Sequence, residues 1–295
     1  MTNPAHVTIH PSALPSLARS WPGGIASFAR REFRDAVASR WFLLYSIAFS
    51  VLAVGVSFLS LSGVGSHGFA GFGRTAAGLL NLIMLIVPLM ACTAGAGSIA
   101  GERERGTLLY LLAQPVSRTQ VLLGKYLGLA GALICTLATG FGLSAGVLAW
   151  RTSGVGFGAY LMLLGLTVLL ALGMLSVGLM ISVIARRSSV ATGLGLFVWL
   201  ALVFVSDLGL MAGSLVFKLR VQEIFGLAIL NPLQAFKMAV IVNMNASLDV
   251  LGPVGAYASH TFGNTLVGLL TLSLGVWIIA PLLLACLSFA RRSSV

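Results

Sequence analysis

Six apolar stretches, each long enough to cross a lipid bilayer as a helix, dominate this chain: Trp41–Leu61, Ala76–Ala100, Val121–Ala149, Ala159–Ala185, Val190–Ala212 and Thr265–Phe289. A helix of about 20 apolar residues spans the hydrocarbon core. Inside that core every backbone N–H and C=O must be satisfied within the protein, which leaves helices or a closed barrel. Charged residues make up only 8% of the chain and mean hydropathy is +1.01, a balance that excludes an ordinary soluble domain. The expected fold is all-α and polytopic, with six transmembrane helices.

The positive charges give an orientation. Arg19, Arg30, Arg31, Arg34, Arg40, Arg103, Arg105, Arg118, Lys125, Arg186, Arg187, Arg291 and Arg292 flank one side of the spans. The other side has Arg74, Arg151, Lys218, Arg220 and Lys237, so the 18 Lys and Arg divide thirteen to five. Positive residues stay on the cytoplasmic side, which places both termini there. The net charge of +11 is spread over short membrane-flanking segments. No basic groove or aromatic RNA-binding motif accompanies it, so nucleic acid is not an expected partner.

Two domains of unequal weight are expected: a disordered cytoplasmic tail, Met1–Gly24, and a single transmembrane domain over 25–295. The tail is rich in proline and lacks periodicity. The first apolar run starts only at Trp41, so a cleaved signal peptide is not expected. Ile25, Phe28, Phe33, Val37 and Trp41 share a helical face opposite Arg30, Arg31, Arg34 and Asp35. This predicts a basic amphipathic helix lying among anionic lipid headgroups, with a charged juxtamembrane turn as the alternative.

The larger outer loop, Gly213–Asn264, carries a helix start at Asn231-Pro232, with Asn as N-cap and Pro at the first helical position. Residues 215–230 include Lys218, Arg220 and Glu223, too charged to span cheaply. Two short helices at or just above the outer membrane face are expected. Gly124 with Gly128, and Gly142 with Gly146, have the small-x-x-x-small spacing of close helix packing.

Several activities are absent from the sequence. Asp207 is the one carboxylate inside the predicted spans, a poor proton relay. Gly124-Lys125 lacks the rest of a phosphate-binding loop, so ATP hydrolysis is not expected of this chain alone. Cys92, Cys135 and Cys286 are scattered among the spans, and with the nine Met they suggest no metal site. Gly142-Leu143-Ser144-Ala145-Gly146 matches a hydrolase nucleophile pattern, but that motif needs a strand-to-helix elbow. Here it falls inside a span, and helix packing is the better reading.

The strongest signal is the inner loop Gly101–Gln120. Glu102-Arg103-Glu104-Arg105-Gly106-Thr107-Leu108 leads a short apolar helix that Pro115 stops, and Ser117-x-x-Gln120 then forms a capping box for the next span. The short helix is too apolar for water and too short to cross, so it must seat against another surface. Glu-Arg-Glu-x-Gly-Thr-Leu, Leu-Leu-Ala-x-Pro-Val-Ser-Arg and Leu-Leu-Gly-Lys resemble the ABC type-2 permease family, over essentially the whole chain after residue 24. In that family the stretch supplies a coupling helix that docks on a cytosolic ATPase.

The resemblance therefore implies a homodimeric, non-enzymatic membrane subunit of an exporter. Two ATPase subunits would bind the ATP and Mg, with no cofactor in this chain. Glu102, Arg103, Glu104 and Arg105 would contact the ATPase, and Thr107–Ala113 would pass on its closure. Val51-Leu52-Ala53-Val54-Gly55, Val198-Trp199, Asp207-Leu208 and Leu230-Asn231-Pro232 look more narrowly like the permease of the copper-processing (Nos-type) system, which serves nitrous-oxide reductase maturation. That implies a periplasmic accessory protein on the outer loops. The alternative is a membrane anchor or mechanical transmitter that moves its outer loop against a periplasmic partner and passes no solute.

Asp207 has two readings, a group facing the bundle or a dimer interface near the outer exit of a pathway, or a carboxylate capping the outer-loop helices. If it serves a pathway, Asp207→Asn lowers transport at unchanged protein level. Full transport by that variant leaves only the capping role.

Overall fold

The computed structural model describes residues 21–61, 69–108, 117–151, 157–215, 220–243 and 253–291. Its helices are α1 (Trp21–Ala38), α2 (Arg40–Leu61), α3 (Phe69–Glu104), α4 (Arg118–Arg151), α5 (Phe157–Ile184), α6 (Ser188–Leu215), α7 (Val221–Leu230), α8 (Pro232–Asn243), α9 (Pro253–Phe262) and, after a 3-10 turn, α10 (Leu266–Arg291). Six of these, α2–α6 and α10, are long and apolar enough to span a membrane. The all-α, six-span fold expected from the sequence is the one observed. Of the expected tail, Met1–Gly24, residues 1–20 lie outside the described residues, and α1 begins at Trp21, ahead of the expected Ile25.

Local chemistry sets the helix starts. Ser39 separates α1 from α2, and its Oγ accepts from the Phe42 N–H at 3.2 Å, a side-chain cap for α2. At α4 both halves of the expected box form: Ser117 N–H donates to Gln120 Oε1 at 3.0 Å, and Gln120 N–H donates to Ser117 Oγ at 3.2 Å.

Helix α5 is the post around which the bundle is built. Its membrane-length segment is 72% buried, against 11% for that of α6. Along one side α5 meets α3 at backbone contact. A Cβ on Gly95 would stand 2.7 Å from the Leu175 carbonyl oxygen and 2.9 Å from Leu179 N. A Cβ on Gly178 would press into the backbone of Cys92 and Ala96. Only glycine permits this approach. Ser182 Oγ then accepts from the N–H groups of Ile99 (2.9 Å) and Ala100 (2.8 Å), stitching the two helices near one end.

Small residues on α4 hold α1 and α2. Cβ atoms on Gly124 and Gly128 would collide with Phe28 Cβ and with Ala29 O and Glu32 Cβ of α1. Gly140 accepts the Phe49 ring of α2, and one turn on Ser144 Oγ meets Ser57 Oγ at 2.5 Å. Gly142 and Gly146, selected from the sequence for packing, have no atom within 4 Å of a would-be Cβ. The face of α4 that packs within the chain is the one carrying Gly140 and Ser144, because Phe49, Phe141 and Tyr160 form a ring-to-ring column beside it.

The outer-loop helices differ from expectation. Helices α7 and α8 meet at 104°, as a broken span or re-entrant hairpin, and Leu233–Phe236 and Met238–Val240 of α8 are all buried. At the tip, Asn231 Nδ2 donates to the Leu202 carbonyl (2.8 Å), and Asn231 Oδ1 accepts from Leu233 N–H (3.0 Å), the expected N-cap. Trp277 Nε1 donates to Leu230 O at 3.0 Å and Ser273 Oγ to Ile229 O at 2.7 Å. Trp277 lies 14 residues before Arg291, and Leu202 lies 14 residues after Ser188. At 1.5 Å per residue both stand about 21 Å above one end of the bundle. The tip therefore enters the bundle instead of resting on its surface. Arg220 and Glu223, which argued against insertion, sit exposed at the mouth of the hairpin, and the tip itself is neutral.

Gly178→Leu is expected to destabilise the fold by at least about 3 kcal/mol, since backbone cannot yield as a side chain can. Gly193→Ala, in open space on α6, should shift the unfolding midpoint by no more than about 1 kcal/mol equivalent. Thermal unfolding in detergent distinguishes them. A Gly178→Leu protein with the parent's midpoint would remove the α3–α5 contact from the account.

Candidate functional site

The charged segment from Gly101 to Leu108 lies at the end of the bundle that carries α1 and the α5–α6 junction. Helix α3 runs straight through Glu102 and Arg103 and stops at Glu104. Gly106 takes φ +71°, a left-handed conformation that glycine adopts at no steric cost, and its N–H bonds back to Arg103 O at 3.1 Å. The chain turns there, and Leu108 is buried on the far side. The expected short helix falls mostly on residues 109–116, outside the described residues.

Each charge before the turn has its own placement. Glu102 points inward, and its Oε1 lies 2.9 Å from Lys125 Nζ. Lys125, on α4, is 4% exposed and also holds Glu32 Oε2 of α1 at 2.7 Å. One ammonium thus serves two carboxylates from two different helices, and Glu102 Oε2 is buried without a hydrogen-bond partner.

Arg103 Nη1 donates to the carbonyls of Ala185 (2.5 Å) and Val183 (3.3 Å) at the C-terminal end of α5. A cation there meets the unsatisfied carbonyls and the negative end of the helix dipole. Glu104 Oε2 accepts from Ser188 N–H at 2.9 Å, the matching anion at the N-terminus of α6. The segment therefore grips α4, α5 and α6 at once and reaches α1 through Lys125, while Glu104, Arg105 and Thr107 remain exposed.

Beside this cluster lies a half-open cavity of about 610 Å³, lined by Glu32, Glu102, Arg105 and Lys125 with Ser98 and Thr93. A second, apolar cavity of about 350 Å³ lies between α6 and the α7–α8 hairpin, bounded by Phe197, Leu202, Leu227 and Gln234.

The remaining sequence candidates take these positions. Gly124 and Gly128 lie under α1, next to Lys125. Asp207 is in α6, and its side chain is outside the described residues. Ser144 is paired with Ser57, which itself donates to Ala53 O at 2.9 Å. Among the described residues no cluster of His, Cys, Asp or Glu could hold a metal ion.

Sequence reasoning treated Lys125 as a flanking charge and passed over Glu32. A signal was present. Glu32 interrupts the stripe Ile25, Phe28, Ala29, Phe33, Ala36 that faces α4, and Lys125 follows a glycine at the start of an apolar run. Val37 and Trp41, expected on that face, are exposed instead.

Arg103→Ala should cost about 1–3 kcal/mol, because the end carbonyls of α5 lose a charged donor in a partly buried place. Glu104→Ala, at an exposed cap, should cost less than about 1 kcal/mol. Midpoints of thermal unfolding test the order, and equal effects would contradict the distinction drawn between these neighbours.

Residues 26–294 match the model of the ABC-2 family transporter proteins. A probable ABC transporter permease protein NosY of Stutzerimonas stutzeri is 33% identical over 272 residues, covering 90% of this chain and 98% of the relative. The corresponding protein of Pseudomonas aeruginosa is 32% identical over 274 residues, with the same coverage.

Proposed function

This chain belongs to the ABC-2 family of membrane transporters, and on that premise we propose that it couples ATP hydrolysis by a separate cytosolic subunit to work across the membrane. The observation that carries the reading is the segment Gly101–Leu108. It presents Glu104, Arg105 and Thr107 outward while Glu102 and Arg103 hold the ends of neighbouring helices. A partner that pushes on the exposed side moves α3 together with α4, α5 and α6. Of the four charges read from the sequence as ATPase contacts, Glu104 and Arg105 keep that role in this proposal. Glu102 and Arg103 act inside the chain.

The working unit we infer is a homodimer with two ATPase subunits that carry the ATP and Mg. The α1 end, with exposed Arg30, Arg31, Arg34, Arg186, Arg187 and Arg291, faces the cytoplasm under the positive-inside rule. The similarity to NosY permeases over nearly their full length supports a place in the copper-processing system of nitrous-oxide reductase maturation, with a periplasmic accessory protein on the hairpin side. No copper ligand is assigned to this chain.

A second reading, mechanical transmission without solute passage, is favoured by the hairpin. Helices α7 and α8 are hydrogen-bonded to both α6 and α10, so bundle movement reaches the opposite face through fixed contacts.

Glu104→Lys combined with Arg105→Glu should reduce co-purification of the ATPase at least about tenfold, the loss expected when charges are reversed across an interface. The amount of folded permease should not change. Undiminished co-purification and ATP turnover would take the contact role away from these residues. Solute uptake into inverted vesicles separates export from transmission alone.

A further inference from the structure

We propose that Lys125 is a positioning residue for coupling: it latches Glu102, at the end of the charged segment, to Glu32 on α1, so that α1 moves with the segment. This deepens the permease reading and rests on it.

The geometry distinguishes a latch from a rivet. Lys125 is 4% exposed and flanked by Gly124, with Gly128 one turn on, where α1 lies directly on the backbone of α4. Helix α1 therefore cannot lean away from the ammonium. Glu32 is held from that side at 2.7 Å, and Glu102 approaches from the other at 2.9 Å. One positive charge stands between the two carboxylates, with Arg105 and Asp35 lining the same cavity, and the two acids repel each other. Lys125 meets only one oxygen of Glu102, and Oε2 is buried without a hydrogen-bond partner.

Withdrawing Glu102 leaves a neutral Lys125–Glu32 pair and relieves the repulsion. The carboxylate that leaves moves into the half-open 610 Å³ cavity, where Arg105, Ser98 and Thr93 stand among apolar side chains. Glu102 is thus the separable arm, and it lies four residues before the left-handed turn at Gly106, where the segment changes direction. Movement of the segment is passed to α1 while the latch holds, and the two part when it opens. Helix α1, with Arg30, Arg31 and Arg34 exposed on its other side, is then a moving part of the transporter.

The test uses the full-length permease reconstituted with its ATPase subunit in lipid nanodiscs, with bound ATPase, kcat and KM for ATP measured. Lys125→Met should bind the ATPase at the parent's stoichiometry but lose at least about fivefold in stimulated kcat, the lower range for coupling between sites. KM for ATP should stay unchanged. Lys125→Arg should recover most of the loss. Should Lys125→Met fail to fold, Glu102→Gln keeps the shape, leaves the neutral pair, and should show the same fall in kcat.

Full stimulation in either variant overturns the proposal. So does a loss of activity that merely tracks the amount of folded complex, or an arginine variant no better than methionine. If the parent protein binds no ATPase at all, the permease reading falls with it. An intact parent complex beside a fully coupled Lys125→Met removes the latch alone.

Discussion

Where Gly95 of α3 meets Gly178 of α5, two helix backbones touch without a side chain between them, and the remaining packing follows from that contact. Water supplies no hydrophobic force between helices in lipid, so close van der Waals approach and interhelical hydrogen bonds must hold the bundle. Gly195 of α6 joins the same place, with its carbonyl accepting from Cys92 Sγ at 3.6 Å. Two helices, α5 and α6, thereby converge on one short stretch of α3, from Cys92 to Ala100. The charged segment begins at the next residue, so its position is set by a backbone-to-backbone contact.

Helix α4 solves a different problem with the same residue type. Its glycines admit α1 along one half and α2 along the other, and in the half that meets α1 it carries a buried lysine. A lone ammonium at that depth would be expensive. The close approach of α1 that Gly124 and Gly128 allow is what brings Glu32 within reach, so steric permission and charge compensation are one arrangement. Removing one member of such a buried pair commonly costs about 3–5 kcal/mol, because the partner is left without compensation. The second carboxylate, Glu102, goes beyond what neutralisation requires.

The hairpin α7–α8 shows how a charged outer loop enters a bundle. Arg220 and Glu223 stay at the mouth, where Arg220 N–H bonds Glu223 Oε2 at 2.9 Å. At the tip, where the helix breaks, polar groups freed by the bend are met individually: Ser273 and Trp277 donate to the carbonyls of Ile229 and Leu230, and Asn231 Oδ1 accepts from Leu233 N–H. Irregular backbone at this depth is tolerated when it is buried in protein in this way. Counting charges along residues 215–230 could not distinguish mouth from tip.

The six spans and the caps at Ser117 and Asn231 were legible in the residues themselves, because each depends on local facts: segment length against bilayer thickness, or a side chain within reach of its own backbone. The family was legible too, since Glu102–Leu108 carries a distinctive local pattern. The direction each charge takes was not. Glu102 and Arg103 adjoin Glu104 and Arg105 in the chain, yet the first two turn inward because Lys125 and the end of α5 stand there. Gly142 and Gly140 share a helix, and only Gly140 faces the Phe49 ring. Local sequence determined which segments are helices and where they end; which face of each helix meets a neighbour was decided by tertiary packing, because that depends on residues far away in the chain.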